Sequence, residues 1–326
     1  MTKVGLVLGA GGVVGQAYHA GVLAVLEHDC GFDAREADMI VGTSAGSVTG
    51  TLLRLGVSSS DLAAWTVKAP LSGTDVFARR MAQMPDPVFA PLRPLDLLRR
   101  PIRLPGPHLV ASALARPWQF RPLAAALTLL APGRHDIVAQ LAALQELETT
   151  PWPDRDLWIC AVRRRDGRRI VFGRPGSPPA PVHLAVAASC AVPGYFAPVR
   201  IGERSYVDGG VHSPTSAAIL RGQGLDLVIV VSPMSGPPGS PLNLLAASRR
   251  HSARLLHREV QALERSGVEV LVFTPGETEQ EAMGDDMMSR DRLHEVIQRS
   301  FLEAGARASG PRARRLLRLA AGGGVS

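Results

Sequence analysis

Cysteine is scarce in this chain. Cys30, Cys160 and Cys190 are the only three in 326 residues, they stand far apart, and none has the short spacing of a zinc-ligand pair. That argues against both a disulfide framework and a thiolate metal site, and it predicts a reducing, cytoplasmic setting. Aromatic residues make up 5% of the sequence, too few to interleave with basic residues as stacking platforms, so nucleic acid is not expected as a partner. Lysine is nearly absent: Lys3 and Lys68 are the two, and the net charge of +7 is carried by arginine. The charge leaves an anionic membrane surface as a peripheral partner. No uninterrupted apolar run approaches the ~18 residues of a spanning helix. The apolar start resembles a leader peptide only superficially, because Gly9, Gly11, Gly12 and Gly15 interrupt it. What is plentiful is proline (26), glycine (33) and apolar residues (46%), the balance of a folded domain with many loops.

Residues 4–8 form a short apolar run ending in Gly9-Ala10-Gly11-Gly12, the pattern of a buried strand entering a tight loop. Tyr18, Val22, Val25 and Leu26 then recur at helical spacing until Gly31. The same sequence of features repeats: residues 37–41 read as a strand stopped by Gly42, and Val48, Leu52, Leu53 and Leu55 mark a helix closed by Gly56. Successive strand-loop-helix units predict a parallel sheet covered by helices, with function at the carboxyl ends of its strands. From residue 70 to about 153 the chain turns proline-rich, and reads as an insertion capping the site, with helices over 122–131 and 137–147. Its apolar piece 123–130 suits an acyl channel, a lid or ordinary core equally. Further strands are expected over 157–162, 169–172, 226–231 and 268–273, and helices over 183–189, 215–221, 242–265 and 290–306. The basic amphipathic piece 312–319 reads as a solvated helix end. Residues 1–310 are therefore expected to form a single domain, followed by a basic tail over 311–326.

Three stretches carry chemistry. Gly42-Thr43-Ser44-Ala45-Gly46 lies between strand and helix, where a nucleophile elbow sits: glycines two residues either side of the serine let strand and helix pass closely. The competing reading is a helix entry with Ser44 as its cap. Gly9-Ala10-Gly11-Gly12-Val13-Val14-Gly15 offers adjacent amides for an oxyanion, or a nucleotide loop, although Gly9, Gly11 and Gly15 give a final spacing of four where G-x-G-x-x-G has three. Tyr206-Val207-Asp208-Gly209-Gly210 places an aspartate at the end of an extended segment, which by itself reads better as a turn.

In this order, the Gly-rich loop, the early G-x-S-x-G and the late Asp-Gly-Gly resemble the patatin-like phospholipase family, and Ser189-Cys190-Ala191-Val192-Pro193-Gly194 extends the resemblance over roughly residues 3–68 and 155–235. The resemblance implies a three-layer α/β/α fold with a mostly parallel central sheet. It implies a serine acyl hydrolase acting on a lipid or other acyl ester without cofactor or metal. Ser44 would be the nucleophile, Asp208 its base, and the amides of Gly11, Gly12 and Val13 the oxyanion donors. Gly42 and Gly46 would shape the elbow, and Gly209 and Gly210 the loop of the base. One departure stands out: Ala10 replaces a family glycine and Val14 occupies a position that is usually basic, so the loop brings no cation for a lipid phosphate.

An aspartate without an intervening imidazole is a weak base, so burial is expected to raise its pKa from about 3.9. His212, His251, His257 and His294 all follow Asp208, the order of an α/β-hydrolase triad, but two strands before Ser44 are too few for that fold. His212 is the histidine to test. His19 is expected near the first loop without a catalytic part, and Cys190 as a small buried residue. A dinucleotide-binding oxidoreductase and a catalytically silent lipid-binding protein remain the alternatives, and the sequence leaves the oligomeric state open.

Overall fold

The computed structural model describes residues 2–72, 80, 83, 101–115, 122–147, 152–237 and 244–322. Much of the 70–153 insertion, the first two residues of the 242–265 helix and the last four residues of the chain lie outside these. Strand β1 (Val4–Leu8) leads through the glycine loop into α1 (Gly12–Cys30), and β2 (Met39–Thr43) leads into α2 (Ala45–Arg54) and then α3 (Ser59–Thr66). Short helices α4 (Pro107–Ala115), α5 (Pro122–Thr128), α6 (Ile137–Gln140) and α7 (Ala142–Leu147) belong to the insertion. The chain continues as a hairpin of β3 (Asp156–Arg163) and β4 (Arg168–Phe172), then α8 (Val182–Cys190), β5 (Val199–Ile201) and β6 (Arg204–Asp208). It closes with β7 (Leu227–Val231), α9 (Leu244–Glu264), β8 (Glu269–Phe273), α10 (Glu277–Met283), α11 (Leu293–Ala308) and α12 (Pro311–Ala320).

The strands form one eight-stranded sheet in the order β5-β6-β3-β2-β1-β7-β8, with β4 also paired to β3. Strands β1, β2, β3, β7 and β8 run parallel, whereas β4 and β6 run antiparallel to β3. Alternation along the strands sends Leu6, Ile40, Ile159 and Ile229 into one core and Val7, Val41, Cys160 and Val230 into the other. Both faces are covered, which is why β1, β2 and β7 are buried at every position and read as continuous apolar runs. Helix α1 is apolar on all sides for the same reason: it lies between the sheet and α11 and is buried from Val13 to Leu26, apart from Gln16.

The architecture is the expected α/β sandwich, with local differences. The second strand begins two residues later than expected and runs to Thr43, so the turn at Ser44 starts directly from the sheet. The helix expected over 215–221 is a single 3-10 turn at Ala217–Leu220, entered through Ser216 in the left-handed region (φ 54). Residues 312–319 are not a solvated end: Gly310-Pro311 break the chain, and the following helix α12 buries Ala313, Leu316 and Leu317. Its Arg312 and Arg315 both pair with Glu269. Glu269 begins β8, so α12 lies at the end of the sheet opposite Ser44.

Candidate active site

Sheet register brings the two motif residues together. Residues Ile159 to Arg163 of β3 pair with β4 along one edge. On the other edge β2 occupies Asp156 to Cys160, ending with Thr43 opposite Cys160, and β6 occupies Ala161 to Arg163, ending with Asp208 opposite Ala161. Strands β2 and β6 therefore meet head to head against neighbouring residues of β3. Ser44 emerges from one end and Asp208 terminates the other.

Ser44 has φ 53 and ψ −122, a conformation that a residue with a side chain enters only under strain. The glycines of the pentapeptide permit it. A Cβ on Gly42 would lie 2.6 Å from the Gly46 carbonyl oxygen, and one on Gly46 would run into the Leu8 carbonyl. The turn is also held from outside: the Ser44 amide donates to Ser189 Oγ at 2.8 Å, and that hydroxyl donates to the Cys160 carbonyl at 2.6 Å. Ser44 is not a side-chain cap of α2.

Asp208 is 4% exposed. Burial drives its carboxyl up from the usual 3.8 to about 6, against the lowering effects of the Gly210 amide, which donates to Oδ1 at 2.7 Å, and of the Ser44 hydroxyl. No histidine is among the groups acting on this carboxyl. His257 and His294 are exposed and away from the cavity, and His212 does not line it, whereas His251 does. His19 is fully buried and faces the Thr49 hydroxyl at 3.3 Å. Burial lowers its pKa to about 3, against the opposing carbonyls of Val231 and Gly9, so it stays neutral. Cys190 lines the cavity, but burial, aided by the Asp208 charge, pushes its thiol far up and keeps it protonated.

The glycine loop is tied to the elements around it. Gly9 donates to Val231 O at 2.9 Å, Ala10 to Pro214 O at 2.8 Å and Val14 to Met287 O at 3.2 Å. Between these anchored positions the amides of Gly11, Gly12 and Val13 have no acceptor among the described residues, and all three residues line the cavity. Gly12 needs its φ of 61 and its lack of a side chain, because a Cβ there would meet the Met287 carbonyl. Beyond Asp208, Glu259 of α9 accepts from Ser213 Oγ at 2.7 Å, Thr215 Oγ1 at 2.6 Å and the Ala217 amide at 2.8 Å, fixing the segment that carries Pro214.

These groups floor a cavity of about 320 Å³. Its wall is mostly apolar: Leu127, Ile137 and Leu144 come from the insertion, and Met287, Met288 and Leu293 from the chain after α10. The insertion thus furnishes both lining and ordinary core, since Ala124 and Ala125 are buried without facing the cavity. Arg290 is the one Lys or Arg among the described lining residues, and Asp208 the one carboxylate. Sequence reasoning missed Ser189 as a support, Glu259 as an anchor, and the 287–293 segment as a wall. Ser189 lies in a segment already singled out for its family resemblance, whereas nothing local marks the other two. No group of three or more His, Cys, Asp or Glu among the described residues has the arrangement of a metal site.

The profile of the family described as patatin-like phospholipase matches residues 6–220. Curated relatives described as uncharacterised NTE family proteins, from Mycobacterium tuberculosis and Mycobacterium bovis, are 28% identical over 239 residues, 73% of this chain and 51% of their own length. The chain therefore spans about half the length of the curated relatives it matches. Among solved structures, VipD from Legionella pneumophila aligns with 94% of this chain and 67% of its own, at 13% identity and a TM-score of 0.43. The type III effector protein ExoU aligns with 98% and 54%, at 16% identity and a TM-score of 0.37.

Proposed function

The chain belongs to the patatin-like phospholipase family, and from that premise we propose that it is a serine acyl hydrolase of lipid esters, with Ser44 as nucleophile and Asp208 as base. The observation that carries this reading is the meeting of a strained serine with a buried carboxyl at the floor of an apolar cavity. Asp208 takes the Ser44 proton as Oγ attacks the ester carbonyl, and the resulting oxyanion is received by the amides of Gly11, Gly12 and Val13. The intermediate collapses to the acyl-enzyme, and the departing alkoxide leaves as an alcohol with the proton held by Asp208. Asp208 then draws a proton from water, whose oxygen attacks the acyl carbonyl. The acid departs, and Ser44 recovers its proton. The apolar wall suits an acyl chain, and Arg290 offers a cation that Val14 does not.

A dinucleotide cofactor is disfavoured by the same loop, since the Met287 carbonyl holds the Val14 amide and lies against Gly12 where a pyrophosphate would have to approach. A catalytically silent lipid binder has no use for strain at Ser44. A fluorophosphonate probe is the direct test: it is expected to label Ser44 and no other residue, as read by peptide mass spectrometry. A properly folded chain that stays unlabelled would remove the proposal.

Ser189 is assigned as a positioning residue. Removing its hydroxyl leaves the buried Ser44 amide without its acceptor and is expected to cost about 1–3 kcal/mol of stability. Ser189→Ala should lower kcat roughly tenfold or more with KM little changed, because the substrate cavity is intact while the elbow loses a support. Equal kcat in the variant would mean the turn needs no such support.

A further inference from the structure

Five large apolar side chains stand exposed among the described residues, and four of them fall within thirteen positions of the insertion: Ile102 (69% exposed), Leu104 (92%), Val110 (46%) and Leu114 (77%). Helix α4, which carries the last two, buries only Leu109, so most of its apolar surface is turned to solvent. The surrounding sequence has one sign of charge. Residues 97–135 hold Arg99, Arg100, Arg103, Arg116, Arg121 and Arg134 and no aspartate or glutamate. An apolar surface set in cationic chain without a carboxylate is complementary to a bilayer bearing anionic headgroups.

The same surface is joined to the cavity. Ile102 bridges Leu130, the Arg103 amide donates to Leu129 O at 2.8 Å, and the Ala131 amide donates to Pro101 O at 2.8 Å. These bonds fasten the exposed segment to the end of α5, whose Leu127 lines the same cavity as Ser44. Helix α12 is basic and amphipathic, but its apolar face is already buried and it lies at the far end of the sheet.

We propose that the surface formed by Ile102, Leu104, Val110 and Leu114 docks on anionic lipid bilayers and sets the cavity mouth against them. Docking itself needs no turnover; its value to the cavity rests on the hydrolase reading above. The exposed helix is nine residues long, too short to span, so the contact is interfacial.

Co-sedimentation of the full chain with phosphatidylcholine vesicles, with and without phosphatidylglycerol, tests this. Binding is expected only when phosphatidylglycerol is present, and it should weaken severalfold between about 0.1 and 0.5 M salt. The double variant Leu104→Gln, Leu114→Gln should bind at least tenfold more weakly, since two apolar chains no longer enter the bilayer, while its circular dichroism and melting stay those of the unchanged protein. Equal binding by the double variant, preference for neutral vesicles, or no vesicle binding at all would overturn the proposal. So would a dimer in solution that the double variant converts to monomer, because the occupant would then be a second copy of the chain. Ser44→Ala is measured in parallel: vesicle binding by a chain that never hydrolyses ester, with or without its serine, would retain the docking surface and sink only the hydrolase reading.

Discussion

Ser44→Ala is expected to leave a folded chain whose ester hydrolysis falls by a factor on the order of 10⁴–10⁶, the scale on which loss of a serine nucleophile is felt. The loss should lie in kcat, because the cavity wall that binds the acyl chain is untouched. The backbone supplies a second, independent readout. Ser44 sits at φ 53 and ψ −122, where alanine is strained as much as serine and glycine is not. Ser44→Gly should therefore be the more stable of the two inactive variants by about 1–2 kcal/mol. Comparing the melting temperatures of the two variants decides it. If alanine proves the more stable, the turn does not store the strain attributed to it.

Asp208→Asn is expected to lose at least about 10³ in kcat, since an amide cannot take the Ser44 proton, and yet to stabilise the fold at neutral pH. The Asp208 carboxyl rises from 3.8 to about 6 on folding. As pH increases from about 4, the unfolded chain gives up this proton first, and the native state loses stability until pH passes the folded pKa of about 6. Above that the full penalty of a buried charge is present, on the order of 2–3 kcal/mol for a shift of this size. Asparagine cannot ionise and its carbonyl can still accept from the Gly210 amide. The variant should therefore gain stability at pH 8 and gain nothing at pH 4, as followed by urea denaturation at both. The same pKa governs activity with the opposite sign: the unprotonated carboxylate is the working form, so kcat/KM of the unchanged protein should rise with pH through a limb near 6. A limb near 4 would mean that the base is not this buried group.

The two variants separate catalysis from stability in complementary ways. Strain at Ser44 and desolvation at Asp208 are both local costs, carried by a sheet whose strands are buried on both faces. The Gly210 amide that Asp208 caps offsets only part of the cost of burying its carboxyl. On the hydrolase reading these costs have a use, since three amides with no acceptor among the described residues stand where a reacting group would enter.

Much of this was legible in the residues alone, wherever the physics is local. The apolar runs of β1 and β7 are strands because both sheet faces are covered, and the glycines beside Ser44 mark a turn because strand and helix must nearly touch. The order of the motifs sufficed to place the family. Other features depend on groups distant in the chain. Nothing near Ser44 announces that Ser189 will hold its amide, or that Glu259 will bind the segment after Asp208. The wall formed by Met287 and Leu293 lies beyond the part that matches the family. The decisive case is the pairing on β3. Composition and spacing determine that a serine turn and an aspartate loop exist, but a strand edge accepts partners by register. Only the folded sheet decided that β2 and β6 would share that edge and bring hydroxyl and carboxyl face to face. The pKa of Asp208 follows from that same event, since burial is a property of what surrounds a residue and not of the residue itself.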